Sequence, residues 1–512
     1  MIGNLMHLKY TYGVFFVLCC LITGCSTTRS LYENSSGETK RAFRGAWIQT
    51  VFQEEYKTMT PEQLKKAFIR KLDDLQACGI NAIIFQVRPE ADAFYQSGIE
   101  PWSRFYTGKQ GLAPEDDFDL MKFLISACHR RNMEFHAWLN PFRAATSVNM
   151  EFAGSHIYHT YPERFVTYNN QILFDPGLPE NRQHICRVVR DIVGRYDVDA
   201  IHMDDYFYPY PVAGLPFPDD TSFRKYGLPK GYTEERRGDW RRENVNTLVR
   251  DLKHAILLEK PWVRFGISPF GIYRNRKSTP DGSGSETNGL QNYDDLYADI
   301  LYWIEQGWID YTIPQIYWEI GHQAADYATL TAWWSRHTKG GHLYIGQDVA
   351  RTMKAGQLTQ KMACARRFSR IDGHCFWPAN ELLWNNQGIA DSLKRHYHRY
   401  PALIPAYTGM HHDRPDEVKG LRVERVPEGR RLSWNAEQNP EDPELPRYFV
   451  VYRFGKKERL DLDNPARIMA ITQGKSYMLP ENGHKETFRY VVTAVDRFHN
   501  ESKKGRRIKV KP

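Results

Sequence analysis

Asp199-Ala200-Ile201-His202-Met203-Asp204-Asp205-Tyr206-Phe207-Tyr208-Pro209 is the stretch on which the reading of this chain turns. It begins as a buried strand: Val198, Ile201 and Met203 are apolar, and Pro209 ends any ladder. At its C-terminal end the apolar pattern gives way to two adjacent carboxylates and three aromatic rings. Desolvating a carboxylate is costly unless it is partnered, so acids at the end of a buried strand point to chemistry. Side chains alternate along a strand, which puts His202 and Asp204 on one face and Met203 on the other. Asp204 is therefore expected to be a catalytic carboxylate at the mouth of a barrel. Asp205 is expected to orient the loop or to act as a second acid.

Outward from this stretch the same alternation of helix and strand repeats. Residues 45–51 and 82–88 read as the first two strands. The helix between them opens on Thr60 as N-cap, Pro61 at the first position and Gln63 completing a capping box. Leu64, Phe68, Leu72 and Leu75 form its apolar stripe, and Gly79 ends it. Further strands fall at 135–140, 264–270, 311–317, 343–346 and 374–378, each after a stretch of helical periodicity. Eight strand–helix units predict a (β/α)8 TIM barrel, α/β in class, over residues 42–405. An open doubly wound sheet would carry a Gly-rich phosphate loop after its first strand, and Gly45-Ala46-Trp47 is not one. The connections at 142–175, 206–239 and 272–292 are long and lie on the catalytic face. They should wall a groove, which suits a polymer better than a metabolite. Within the third of them, Asp281-Gly282-Ser283-Gly284-Ser285 has the composition of a mobile flap.

The chain has 512 residues, 41% hydrophobic and 25% charged, the balance of a globular protein with room for two or three domains. Its formal charge of +8 is dispersed apart from Lys503-Lys504-Gly505-Arg506-Arg507, which reads as a solvated tail, so no nucleic-acid partner is expected. Near the N-terminus, His7 and Lys9 precede the apolar run 14–22, which is too short for a comfortable membrane span. Thr23-Gly24-Cys25-Ser26 follows and resembles a bacterial lipobox. The expectation is a signal peptide over 1–24, a lipidated Cys25 and a polar tether over 25–41. Ser26 then suits outer-membrane sorting within the cell envelope. Five cysteines remain, Cys78, Cys128, Cys186, Cys364 and Cys375, with no C-x-x-C, so neither a disulfide framework nor a zinc site is indicated. A linker over 406–418 leads to short alternating strands over 419–512. These resemble a fibronectin type III β-sandwich, expected to be a separable unit without catalytic groups. A monomer is expected.

The polar residues that interrupt the apolar strands cluster at C-terminal ends: Gln86 and Arg88, Asn140, His202 and Asp204, Ser268, then Gln315, Tyr317 and Glu319, with Asp348 and Asn380 further on. Alternation gives Gln315, Tyr317 and Glu319 one face. Carboxylates converging across a barrel mouth are what glycoside hydrolysis needs, one as nucleophile or base and one as proton donor. Asp204 and Glu319 are the expected pair, with Glu319 as donor. Arg88 and His202 are read as neighbours of Asp204, although each also has an ordinary structural role open to it. Tyr206, Tyr208, Trp318 and Trp377 are candidate sugar platforms rather than core.

At these residues the sequence also resembles glycosyl-hydrolase-like family 10. The resemblance is carried by Gln86-Val87-Arg88-Pro89 with Asp92-Ala93-Phe94-Tyr95, by Ala137-Trp138-Leu139-Asn140-Pro141, and by Phe174-Asp175-Pro176-Gly177. It continues through His202 to Pro209, Gly266-Ile267-Ser268-Pro269-Phe270-Gly271 and Pro314-Gln315-Ile316-Tyr317-Trp318. It implies an envelope barrel hydrolase of glycans, with peptidoglycan strands among the substrates of at least one relative. It adds Asp92 to the expected substrate-binding set of Arg88, Asn140, His202, Tyr206, Tyr208, Gln315, Tyr317, Trp318, Trp377 and Asn380. No cofactor and no metal are expected. A metal-dependent carbohydrate deacetylase would want two His at ligand spacing, and no H-x-x-x-H occurs. A glycan-binding lipoprotein without catalysis would keep the aromatic groove but need no acid pair.

Overall fold

A computed structural model describes residues 39–407, 409–439, 441–480 and 486–511. The expected signal peptide, Cys25 and nearly all of the tether lie outside the described residues. Lys40–Pro512 forms one compact unit. Three strands open it: β1 (Phe43–Ile48), β2 (Ala82–Arg88) and β3 (Glu134–Leu139). Three short strands follow, β4 (Arg143–Ala145), β5 (Phe165–Tyr168) and β6 (Gln171–Phe174). Then come β7 (Ala200–Met203), β8 (Arg264–Ile267), β9 (Tyr311–Thr312), β10 (His342–Asp348) and β11 (Ile371–Trp377). Eight of these close into a barrel in the order β1-β11-β10-β9-β8-β7-β3-β2, every pair parallel. The barrel expected from the alternation is present.

Alternation sorts each strand between two cores. Ile201 and Met203 of β7 face the helix layer with Ile83, Phe85 and Val87 of β2 and Phe135 and Ala137 of β3. Ala200 faces the lumen with Phe43, Trp47, Ile84, Trp138, Tyr311 and Tyr344, and Ile404 and Tyr407 join this inner cluster from beyond the last barrel helix. Around the barrel the first helix, Pro61–Ala77, starts at Thr60 with the capping box in place, and buries Leu64, Phe68, Leu72 and Leu75.

The elements depart from the sequence pattern in three places. β9 is two residues long rather than seven, because Pro314 has no N–H to give a ladder; beyond it only single bridges from Gln315 to Phe270 and Gly346 continue the sheet. The stretch of helical periodicity before β9 is split into Asn292–Asp295 and Ile300–Glu305, since Tyr297 turns left-handed (φ 55°) and Asp299 caps the second piece. The long connection after β3 is not irregular: it folds into the antiparallel sheet β4-β6-β5 over the barrel mouth. The segment 281–285 is tied down at its middle and its end, by the Trp333 indole to the Ser283 carbonyl (2.8 Å) and by Arg276 N–H to the Ser285 carbonyl (2.7 Å).

Seven strands follow the barrel among the described residues: β12 (Lys419–Val426), β13 (Gly429–Asn435), β14 (Tyr448–Gly455), β15 (Ile468–Thr472), β16 (Ser476–Leu479), β17 (Phe488–Val495) and β18 (Ile508–Val510). They form two antiparallel sheets, β12-β13-β16 and β15-β14-β17-β18. The second sheet is fastened to the barrel end opposite the mouth. Leu403 packs among Val450, Tyr452 and Val491. Arg447 and Arg497 pair with the two oxygens of Asp197 (3.0 and 2.8 Å), and His499 meets Glu134 at the foot of β3 (2.6 Å).

Candidate active site

The site grows from the top of β7. In register, His202 lies between Trp138 of β3 and Gly266 of β8. Glycine is required at 266, because a Cβ there would fall within 2 Å of the Tyr311 ring. That ring fills the lumen beneath His202, stacked 5.8 Å away. Just past the strand, Asp204 is 5% exposed and accepts a hydrogen bond from the Trp138 indole N–H on Oδ2 (3.1 Å). Burial, and next to it the charge of Asp205, push the Asp204 carboxyl up to about 7. Arg143 and the N–H groups of Tyr206 and Trp138 oppose this without cancelling it.

Asp205 is equally buried but better served. The Tyr210 hydroxyl donates to its Oδ2, and the Gln315 side chain donates as well. Its pKa is raised by burial, with these two donors acting against the rise. The environments of two neighbouring carboxyls therefore diverge: Asp204 keeps its proton more readily, while Asp205 has donors to hold its charge. Tyr206 and Tyr210 stack at 5.4 Å, both partly exposed, and the Arg143 guanidinium lies 5.7 Å from the Tyr206 ring. Phe270 stands edge-on to both Tyr210 (5.9 Å) and Trp318 (5.4 Å), and Trp377 edge-on to Trp138 (6.1 Å). These rings give the mouth an aromatic floor and rim flanking the acids.

The expected residues separate into those at the mouth and those supporting it. Asp204, Asp205, His202, Tyr206, Gln315, Tyr317, Trp318 and Trp377 come together around the top of the lumen. Burial pushes the Tyr317 hydroxyl well above its usual range, with Cys375 and Asp205 adding to the rise. Asn380 is half-buried and reaches Gln53 of the first loop. Asn140 is fully buried: its Oδ1 accepts from Arg143 N–H (2.9 Å), and its Nδ2 finds no partner among the described residues. Arg88 does not reach Asp204. It forks onto Glu100 (2.7 and 2.6 Å), which His184 also contacts (2.9 Å), and it donates to the carbonyls of Asn140 and Pro141. It thus holds the end of β3 in place. Asp92 is fully buried under the second loop with Gln110, and burial together with Glu90 raises its carboxyl to about 7. Tyr208 is 1% exposed, packed edge-on to Phe217 and Tyr297, and is core rather than platform. Glu319 is half-buried and lies in the field of the Lys361 ammonium; among the described residues its carboxylate accepts no hydrogen bond. Asp348 caps the following helix through Arg351 N–H (2.8 Å).

Sequence reasoning missed Trp138, Arg143, Tyr210 and Tyr311. Trp138 was legible in principle, since it alternates with His136 on the inward face of β3. Tyr210 lies only five residues past Asp205, beyond a proline that hides its return.

The glycosyl hydrolase-like 10 family model matches residues 42–362. Over 490 residues the chain is 36% identical to the glycosyl hydrolase YngK of Bacillus subtilis (strain 168), covering 92% of this chain and 94% of that protein. Over 366 residues it is 34% identical to the glycosyl hydrolase DigH of Escherichia coli (strain K12), covering 65% and 81%. The glycoside hydrolase domain of PgaB (BpsB) from Bordetella bronchiseptica aligns with a TM-score of 0.47 at 10% identity, over 69% of this chain and 99% of that one. The chain belongs to the glycosyl hydrolase-like 10 family.

Proposed function

We propose that this glycoside hydrolase cleaves the glycan strands of peptidoglycan, with Asp204 as the proton donor and Asp205 as its ionised partner. The observation that carries the reading is the divergence of the two neighbouring carboxyls. Asp204 holds its proton to about pH 7, the property a general acid needs at neutral pH. This reverses the role expected from sequence, in which Glu319 donates and Asp204 carries charge. The reason is physical: Asp204 is desolvated and lies beside the charge of Asp205, while Asp205 accepts the Tyr210 hydroxyl and has the Gln315 side chain next to it. Protonation of the glycosidic oxygen by Asp204 leaves positive charge at the anomeric carbon, and Asp205 is the nearest fixed negative charge. An acid beside an ionised neighbour also suits a sugar whose own 2-acetamido group attacks, as in substrate-assisted hydrolysis. Peptidoglycan strands are N-acetylated throughout. Tyr206, Trp318 and Trp377 offer faces for sugar rings along an open mouth.

The test is product analysis on peptidoglycan strands with and without stem peptides, and on de-N-acetylated strands. Shortened products are expected from N-acetylated strands, and folded Asp204→Asn should lose at least about two to three orders of magnitude in turnover. Glu319→Gln should cost less than either aspartate. Retention of strands without shortening would mean a binding protein, and near-normal turnover by Asp204→Asn would remove it as the acid.

Anchoring is a separate part of the proposal. Thr23-Gly24-Cys25-Ser26 supports a lipidated Cys25 in the bacterial envelope, with the enzyme tethered beside its substrate. Cys25→Ala should abolish fatty-acid labelling; unchanged labelling would end that claim.

A further inference from the structure

We infer that the C-terminal module belongs to the catalytic apparatus. Through His499 and Glu134 it fixes the tautomers of two histidines inside the barrel, so that His202 turns a bare Nε2 towards Ser268 beneath the acids. His136, Tyr311, Glu134 and His499 thereby act as positioning residues, though none lies near the substrate.

A line of hydrogen bonds runs from the barrel foot to its mouth. Glu134 forks onto Arg264 (2.5 and 3.1 Å) and, although burial opposes it, Arg264 and His499 hold its carboxyl well below the usual range. It is an anion and can only accept. The Nε2 atoms of His136 (3.0 Å) and His499 (2.6 Å) must therefore both donate to it. Burial depresses both imidazoles, so each is neutral and its Nδ1 is bare. The Nδ1 of His499 accepts a hydrogen bond from the Tyr448 hydroxyl (3.1 Å), inside the module itself. The Nδ1 of His136 accepts one from the Tyr311 hydroxyl (2.8 Å). A hydroxyl has one proton, so towards the Nδ1 of His202 (3.1 Å) Tyr311 can only accept, and that nitrogen carries the hydrogen. The remaining nitrogen of a neutral ring, Nε2, is then bare.

The Trp47 indole requires the same state independently. It can only donate, and it points its N–H at the same Nε2 (3.4 Å), while the Ser268 hydroxyl lies 3.0 Å from that nitrogen. If His136 were charged, Tyr311 would donate to His202, whose Nε2 would then carry a hydrogen facing the Trp47 N–H. The indole therefore selects the same tautomer from the opposite end. The relay is buried along its length, so water offers no substitute partner.

The consequence reaches the acids in two ways. Ser268 is oriented by its hydroxyl, and its carbonyl accepts from Gln315 Nε2 (2.9 Å), the side chain that also donates to Asp205. A neutral His202 also puts no positive charge two residues from Asp204, where a cation would pull the acid's proton off. The module thus acts with Arg264 on the state of the site from the far end of the barrel.

The tautomers are read directly, without any substrate, from imidazole ¹⁵N shifts and N–H couplings of the histidine-labelled full chain. The expected spectrum has His136 protonated on Nε2 and His202 on Nδ1. A charged His202, or one protonated on Nε2, would overturn the inference. Kinetics on N-acetylated glycan strands form a second arm, which rests on the proposed activity. Tyr311→Phe keeps the ring and removes the hydroxyl; kcat should fall roughly tenfold with little change in KM, and the alkaline limb of the pH profile should move. Tyr344→Phe removes an equally buried lumen hydroxyl, bonded to Tyr407, and should leave the profile in place. His499→Leu should reproduce the displaced limb and mix the His202 tautomers, while His499→Gln, which retains a donor, should restore both. Equal effects of Tyr311→Phe and Tyr344→Phe would reduce the relay to packing. If the wild-type chain leaves the strands intact, the proposed substrate fails while the spectra still decide the tautomers.

Discussion

Asp204 is surrounded so that its ionisation in the folded chain is uphill, which makes it a burden on stability. Its folded pKa of about 7 lies above the 3.8 of an ordinary aspartate, the value expected once the chain unfolds. Below about pH 4 both states are protonated and the group is neutral to folding. As pH rises from there to 7 the unfolded chain releases the proton more easily, and stability falls; above 7 the penalty is complete. Asp204→Asn removes that penalty. At pH 8 the variant should be more stable than the parent by up to a few kcal/mol, since each tenfold change in proton affinity is worth about 1.4 kcal/mol. At pH 4 the two should nearly coincide. Thermal unfolding at both pH values checks this, and a variant that gains nothing at pH 8 would mean that Asp204 is ionised at little cost. The position of Asp204 at the barrel mouth was legible from its place in the chain, an acid at the end of an apolar strand. Its protonation was not, because that depends on Trp138 and Asp205 meeting it in different ways, which only strand register and the return of Tyr210 determine.

The elements were legible to the extent that local pattern sets them. The capping box at Thr60 and Gln63 fixed the start of its helix to the residue, because both partners lie within one turn. The run Ala82–Arg88 fixed β2 likewise, since both of its faces are buried and the whole run is apolar up to Gln86. β9 was overread, because Tyr311 to Tyr317 has strand composition throughout and only Pro314 marks where pairing stops. The sheet over the mouth was underread. Phe165-Val166-Thr167-Tyr168 and Gln171-Ile172-Leu173-Phe174 flank the two-residue turn Asn169-Asn170, a hairpin signal. The stretch lies inside a long barrel loop, outside the helix–strand alternation that marks the barrel's own elements. The inner polar residues follow a stricter rule than composition reveals. His136, His202 and Tyr311 occupy one lumen only because Gly266 leaves the space for the Tyr311 ring, so a glycine in β8 is a condition for hydrogen bonds made by β3, β7 and β9.

At the scale of the whole molecule the sequence suggests a barrel followed by a spacer, and the interface argues for closer dependence. Asp197 is held by Arg447 and Arg497, Asn132 donates to the Ile471 carbonyl (2.8 Å), and Gln473 donates to the His129 carbonyl (2.9 Å). Leu403 is buried by the second sheet, and Glu134 takes one of its donors from His499. A chain ending at Tyr407 would keep the Glu134–Arg264 pair but lose that donor, and would open the buried foot of the barrel to water. Losing a hydrogen bond to a buried charge costs on the order of 1.5–3 kcal/mol, and each half-exposed ion pair at Asp197 about 1 or less. The truncated barrel should therefore unfold at a clearly lower temperature. Where it remains folded, its turnover should fall even on oligosaccharides too short to reach the module, because water at Glu134 releases the tautomers above it. The full-length chain should unfold in one transition rather than two. A truncated barrel with parental stability and turnover would mean that the C-terminal sheets are a spacer after all, and that the histidine relay holds its state without them.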